Sequence, residues 1–257
     1  MPSVRVADAF PSLVFEENKN SIHHIALVFK AIQSFQLPPS VKGFDGLNFD
    51  DNGDIITGPT PIHGGRPCDT VAGLYTEYFH TQISCADKCD IVKGWRATSL
   101  RDRLDKFGAE KLPQLLREVE SQLTPRPTLV HADFDLHNLL FDPSTNQLTA
   151  LLDFDFGHVA SHADEYFYPF DSLMHIVVPP TVEEPDMVSL WHALLYGFPQ
   201  ELPVPKEGDK SVGWKLAAAV NKAFANAGVN QPSEIPGIDE LSALYWCIQD
   251  VSPPLFF

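Results

Sequence analysis

Three polar residues in the middle of the chain have the types and spacing that phosphoryl transfer requires. Asp133 and Asn138 are five positions apart, and Asp153 follows after a predicted strand–turn–strand. A hairpin returns its far end beside its near end, so we expect Asn138 and Asp153 to face one cation with Asp133 nearby. One carboxylate could then accept the proton of an attacking hydroxyl, while an amide oxygen and a second carboxylate hold Mg²⁺ on the phosphates.

The segment around these residues is acidic. The 79 residues from Pro127 to Pro205 contain no Lys or Arg and twelve acids. Crowded carboxylates repel one another, and a divalent cation removes that cost. Such a site binds ammonium groups better than carboxylates, so a small cationic substrate is expected. The twelve acids are Asp133, Asp135, Asp142, Asp153, Asp155, Asp164, Glu165, Asp171, Glu183, Glu184, Asp186 and Glu201.

The apolar pattern predicts the elements that position these residues. Short strands are expected at 128–130, 139–141 and 148–152, with a turn at 142–146. A separate hairpin is expected from strands at 47–49 and 55–57. Helices are predicted from a cap at Ser21 to before Pro38, throughout 71–124 with a short helix from Ser99 to Gly108, and at roughly 163–176, 186–197, 210–227 and 238–249. The fold class is therefore α+β and mainly helical, with a small catalytic β-hairpin.

The pattern His131-x-Asp133-x-x-x-x-Asn138, followed by a hairpin and Asp153, resembles the catalytic segment of the aminoglycoside phosphotransferase and choline kinase-like family. That family shares its fold with protein kinases, and the run LVHADFDLHNLLFD…LTALLDFDFGH is similar to a fungal-type branch. The resemblance implies an ATP-dependent small-molecule kinase. Asp133 would be the catalytic base, and Asn138 and Asp153 would bind Mg²⁺ and the nucleotide.

The same resemblance gives supporting roles to nearby residues. His131 would brace the loop rather than react. Asp164 falls near the acidic residue with which the family supports this loop from the next helix. Ala132 stands where the family usually has Gly.

The family has two lobes, and the smaller N-terminal lobe clamps ATP. About twenty residues precede the predicted helix at Ser21, too few for a five-stranded sheet of that lobe. We therefore expect residues 1–257 to form a single domain equivalent to the C-terminal lobe. Three hypotheses follow: a weak phosphotransferase or one whose missing lobe comes from a protein partner, a kinase-derived binding module without turnover, or a gene model cut short upstream.

Several alternatives remain open at this stage. Asp135 is either a solvated turn acid or a group that attracts a cationic substrate. Asp155 is either a second metal ligand or a hydrogen-bonded turn residue. Residues 151–155 also resemble the aspartate-nucleophile motif of haloacid dehalogenase-type phosphatases, but Gly157 replaces its Thr or Val, and a mainly helical chain precedes it instead of the opening of a Rossmann-like domain.

The composition excludes several classes of function. A net charge of −16 argues against a nucleic-acid or anionic-membrane surface, and no apolar run approaches the length of a membrane span. No secretory signal is visible at Met1–Phe10, so a cytoplasmic protein with reduced thiols is expected. Cys85 and Cys89, with His80 upstream, are too few ligands for a recognisable zinc site.

Overall fold

The computed structural model describes residues 3–9, 19–60, 66–90, 95, 97–123, 125–145, 147–168, 185–204 and 213–251. Over these residues the fold is mainly helical α+β with two small sheets, which confirms the predicted class. The chain divides into two compact units and crosses between them repeatedly. The first unit comprises Met1–Phe35, Val130–Phe156 and Ala163–Ile235, and the second comprises Gln36–Leu129, Gly157–His162 and Pro236–Phe257. The single domain expected over 1–257 stays a prediction.

The elements follow one another along the chain in an irregular mixture of strands and helices. In chain order they are β1 (Val4–Arg5), α1 (Val6–Ala9), α2 (Lys19–Gln33), β2 (Asp45–Phe49), β3 (Ile55–Gly58), α3 (Val71–Lys88), α4 (Leu100–Lys106), a π-helical turn (Phe107–Lys111), α5 (Leu112–Leu123), β4 (Thr128–Val130), a 3₁₀ turn (Leu136–Asn138), β5 (Leu139–Asp142), β6 (Gln147–Leu151), β7 (His158–Ala160), a second 3₁₀ turn (Asp164–Phe167), α6 (Pro185–Tyr196), α7 (Trp214–Asn226), a third 3₁₀ turn (Pro232–Glu234) and α8 (Ile238–Val251).

The first unit contains the predicted catalytic hairpin. Strands β5 and β6 pair antiparallel, with Leu139 opposite Leu151, and β1 adds to the outer edge of β5. The Asp142 carboxylate closes the hairpin by accepting the N–H and the hydroxyl of Ser144 at 2.8 and 2.7 Å. This pairing confirms the strand–turn–strand on which the predicted convergence of Asn138 and Asp153 depends.

An aromatic cluster forms the centre of this unit. The ring of Phe29 in α2 lies 5.0 Å from Phe134, 5.6 Å from Tyr166 and 4.6 Å from Phe224, between ring centroids. All four rings are buried. Phe134 belongs to the predicted catalytic loop, so burial of its ring fixes that loop to the core of the unit.

The second unit combines a small sheet with packed helices. Its strand order is β3-β2-β7-β4, and β2 and β3 form the second predicted hairpin. Helix α3 packs against α5 and α8, and its first turn is capped by the Thr70 hydroxyl, which accepts the Gly73 N–H at 3.0 Å. The buried residues on these helices recur at helical spacing, as the sequence pattern predicts.

Three predicted helix limits are wrong. The first helix begins at Lys19, and Ser21 is a buried residue inside it. Gly108 does not end a helix, because the chain continues through the π-helical turn into α5; a Cβ there would lie 2.6 Å from Cε1 of Phe79, so close packing explains the glycine. The stretch from Ala163 forms only the second 3₁₀ turn and is extended at Tyr168, while the rest of the predicted helix lies outside the described residues.

The limits of the other helices are close to those predicted. Helix α6 and helix α8 match the predicted 186–197 and 238–249, and α7 spans most of the predicted 210–227. The predicted helical region 71–124 is interrupted at Cys89, which is extended. Within the described ranges, no helix combines the length and the apolar character that crossing a membrane would need.

Candidate functional site

Asp133 and Asn138 are in direct contact. The Asn138 side-chain nitrogen, Nδ2, donates to the Asp133 carboxylate oxygen Oδ2 at 2.7 Å and to the Asp133 main-chain oxygen at 2.8 Å. Both of these oxygens can only accept, so the amide orientation is fixed and the Asn138 Oδ1 oxygen faces away from Asp133. The contact leaves one Asp133 carboxylate oxygen and one Asn138 amide oxygen available to a substrate or a cation.

His131 joins the loop to the hairpin. Its Nδ1 accepts the Asp133 N–H at 3.2 Å, so its proton is on Nε2, which donates to the Leu152 carbonyl at 2.8 Å. Burial lowers the pKa of His131, against the opposing charges of Asp133 and Asp153. The ring is therefore neutral at physiological pH, with both of its nitrogens engaged.

Asp153 follows the hairpin partner of Asn138 by one residue. The Leu152 N–H donates to the Asn138 carbonyl at 2.8 Å, which extends the β5–β6 ladder to these residues. Asp153 is exposed and has a φ of 63°, the left-handed conformation that directs its chain away from the ladder. Its neighbour Phe154 packs edge-on against His131, with centroids 4.5 Å apart.

Glu165, which we did not predict as a site residue, supports the loop from behind. Its Oε2 accepts the His131 N–H at 2.6 Å, and its Oε1 accepts the Ala132 N–H at 3.1 Å. The resemblance pointed to Asp164 for this contact, but the carboxylate that reaches these N–H groups is that of the next residue. Both acids are buried. They differ in the direction of the side chain, which the sequence pattern does not encode.

The structure places the two acids whose roles were left open in different surroundings. Asp135 is 9% exposed and accepts the His137 N–H at 3.2 Å, so it caps the first 3₁₀ turn instead of being a solvated acid. Asp155 is exposed in the turn that precedes β7. Asp142, which accepts from Ser144, lies in the turn between β5 and β6.

The residues present suit a hard divalent cation. Among the described residues, no group of three or more His, Cys, Asp or Glu side chains is arranged to hold a metal, and this includes Cys85, Cys89 and His80. The candidate oxygen ligands are instead the Asn138 amide oxygen and the exposed carboxylate of Asp153. Mg²⁺ binds proteins through one or two such oxygens, with waters and substrate phosphates completing its shell.

Comparison with known proteins relates this segment to phosphotransferases. The model of the phosphotransferase enzyme family APH matches residues 88–162, a range that contains Asp133, Asn138 and Asp153. Over that range the resemblance to the aminoglycoside phosphotransferase family is confirmed, and the fungal-type branch and the absent lobe stay predictions. No curated protein matches the chain.

Proposed function

We propose that this chain transfers the γ-phosphoryl group of ATP to a hydroxyl of a small, cationic molecule. The observation that carries the proposal is the contact between Asp133 and Asn138, with Asp153 following the hairpin partner of Asn138. The arrangement would supply one base and two oxygen ligands, which are the groups the reaction needs. The family match over residues 88–162 supports the same chemistry.

Each residue would contribute a different part of the reaction. The Asp133 oxygen that Asn138 leaves clear would orient the acceptor hydroxyl and take its proton. Asn138 and Asp153 would hold Mg²⁺, which neutralises charge on the ATP phosphates when it is bound. Because both ring nitrogens of His131 are engaged, its part would be to keep the loop and the hairpin together.

The charges favour a cationic acceptor. Asp133 and Asp155 add to the negative charge of Asp153, and no Lys or Arg occurs from Pro127 to Pro205 to offset it. Such a field raises the local concentration of ammonium compounds. We expect kcat/KM for an amino alcohol to exceed that for its uncharged analogue and to fall with added salt, whereas the uncharged analogue should show no such salt dependence.

The second candidate is a kinase-derived binding module without turnover. The absence of Lys and Arg from the segment Pro127–Pro205 favours the binding module, since no residue of that segment could pair with the ATP phosphates.

A further part of the first proposal is that the chain corresponds to a kinase-like C-terminal lobe and that a protein partner supplies the ATP-clamping lobe. Leu152 and Phe154, which are 38% and 44% exposed beside Asp153, would suit such a cover.

Calorimetric titration of Mg-ATP into the purified chain tests the proposal. We expect binding by the wild type and its loss in Asp153→Asn, which keeps a residue type that tolerates the left-handed conformation while removing the charge. Asp142→Asn, in the hairpin turn, is the matched control and should bind as the wild type does. No binding at millimolar nucleotide would exclude the enzyme and leave the binding module.

A further inference from the structure

A cleft of about 640 Å³ lies in the second unit, between the N-terminal halves of α3 and α5. Clefts of this volume are large enough to hold a small molecule. The residues that line it include two arginines, Arg66 and Arg117, and two acids, Asp69 and Glu77. None of them belongs to the proposed phosphoryl-transfer site, so the cleft can be considered independently of that site.

The charge balance of the segment that forms the cleft differs from that of the rest of the chain. Residues 66–126 contain ten Lys and Arg against nine Asp and Glu, whereas the remaining residues contain eight against 25. The excess of negative charge that repels anions elsewhere is therefore missing from this segment. A ligand that carries an anionic group is more easily accommodated here than beside the acidic segment.

Two of the four charged groups in the cleft are paired with each other, and the other two are not. The Arg66 Nε lies 3.6 Å from the Glu77 Oε1, and 83% of the Arg66 side chain is exposed, so this ion pair is weak. In the part of the chain that the structure describes, Arg117 and Asp69 form no ion pair, either with each other or with another residue. The cleft thus presents one uncommitted positive charge and one uncommitted negative charge.

The backbone at the start of α3 offers little to an anion. The Gly73 N–H is accepted by the Thr70 hydroxyl at 3.0 Å, and the Ala72 N–H is accepted by the Glu120 Oε1 at 2.7 Å. An anionic group in the cleft would therefore depend on the arginine side chains. The planar N–H groups of a guanidinium match the two oxygens of a carboxylate.

We propose that this cleft binds a small zwitterion, an amino acid-like molecule whose carboxylate contacts Arg117 and whose ammonium group contacts Asp69. Such a molecule bridges two opposite charges that line one cleft without contacting each other. The aliphatic chain between its charged ends would pack against apolar residues of the lining, which are Pro67, Pro113 and Leu116.

Calorimetry with amino carboxylates of increasing length tests the proposal on the wild-type chain. Glycine, 4-aminobutanoate and 6-aminohexanoate differ in the separation of their two charges, and hexanoate and hexylamine are controls that carry one charge each. We expect glycine to bind least and the tightest zwitterion to bind at least about fivefold more tightly than either control. No binding of any zwitterion at millimolar concentration, or equal binding of the controls, would overturn the inference.

Variants of the two uncommitted residues test where the zwitterion binds. Arg117→Gln and Asp69→Asn should each weaken binding of the tightest zwitterion by at least about fivefold. Arg103→Gln and Asp102→Asn, at exposed residues of α4 outside the cleft, remove the same charges and should bind as the wild type does. Equal weakening in the cleft variants and the α4 variants would show an effect of net charge alone and would overturn the inference.

Cys68 also lines the cleft and reports its occupancy without a variant. A bound zwitterion should slow the alkylation of Cys68 by iodoacetamide, while alkylation of Cys247, an exposed residue of α8, should be unchanged. Alkylation of Cys68 at the same rate with saturating zwitterion would overturn the placement of the ligand. None of these measurements involves phosphoryl transfer, so failure of the cleft proposal and failure of the proposed function are seen separately.

Discussion

Asp133 and Asn138 illustrate how one contact can orient two functional groups. The Asn138 amide uses its nitrogen on Asp133, which fixes one carboxylate oxygen and turns the amide oxygen outwards. His131 adds a second constraint by bonding both the Asp133 N–H and the Leu152 carbonyl. At the scale of single residues, the site is defined by hydrogen bonds that leave few oxygens uncommitted.

Replacement of Asp133 should separate chemistry from binding. We expect Asp133→Asn to lower kcat by at least about 100-fold, because the amide cannot accept the hydroxyl proton. Mg-ATP binding, measured by calorimetry, should remain because the variant keeps Asn138 and Asp153. Full activity in a correctly folded Asp133→Asn chain would refute its role as the base.

Replacement of Ala132 should relieve backbone strain. Ala132→Gly removes the side chain from a residue with a φ of 66°, and we expect the free energy of unfolding to rise by about 1 kcal/mol. Ala150→Gly, in strand β6, is the control and should lower the free energy of unfolding by about 0.5–1 kcal/mol. Urea denaturation of both variants measures the difference, and a loss of stability in Ala132→Gly would show that the left-handed turn carries no strain.

At the scale of elements, each hairpin is fixed by carboxylates that accept backbone N–H groups. Asp45, a buried residue of β2, accepts the N–H groups of Gly46 and Thr60 at 2.8 and 3.2 Å. Asp50 accepts those of Asn52 and Asp54 in the exposed turn of the same hairpin. The two acids make similar bonds in opposite surroundings, so their charges should affect stability in opposite directions.

The Asp45→Asn variant tests this difference. Burial raises the pKa of Asp45 from 3.8 to about 6, so its contribution to stability is present below pH 3.8 and is lost as the pH rises through 6. Asparagine keeps the accepting oxygen without the charge, and above pH 6 we expect Asp45→Asn to be more stable than the wild type by up to about 3 kcal/mol.

Asp50→Asn is the matched comparison in the same hairpin. Hydrogen bonds from Asp54 and Asn52 lower the pKa of Asp50, so its carboxylate stabilises the fold above its ordinary pKa and that contribution is lost in acid. Asp50→Asn should therefore be less stable than the wild type at neutral pH. Thermal unfolding across the pH range measures the stability of both variants. A change in stability of the same sign and size in Asp45→Asn and Asp50→Asn at neutral pH would contradict the predicted difference between the two carboxylates.

The whole molecule is far from electrical neutrality. Its net charge of −16 at pH 7 means that the folded chain repels itself, and salt screens this repulsion. We expect Tm to rise when sodium chloride is increased from about 0.05 to about 0.5 M at pH 7. The rise should vanish near the isoelectric point of about 4.8, and a salt effect of equal size there would exclude charge repulsion as its cause.

The sequence predicted the parts of this structure that depend on local pattern. The spacing of Asp133, Asn138 and Asp153 around a strand–turn–strand is a local property, and the hairpin that joins them is as expected. The choice of Glu165 over Asp164 depends on which side chain reaches two N–H groups of a distant loop, and neighbouring acids have no pattern that distinguishes them. The sequence pattern made Gly108 look like a helix end. The glycine is needed instead because a side chain there would collide with Phe79 in another helix, and the local pattern does not show that contact.

Replacement of Mg²⁺ by paramagnetic Mn²⁺ tests the central claim, that Asn138 and Asp153 bind one metal ion beside Asp133. In the presence of ATP, Mn²⁺ should broaden the side-chain amide resonances of Asn138 and the backbone amide resonance of Asp153 before any others, and Asp153→Asn should abolish the effect. If those resonances stay sharp while others broaden, or if the broadening persists in Asp153→Asn, the three residues do not form a phosphoryl-transfer site.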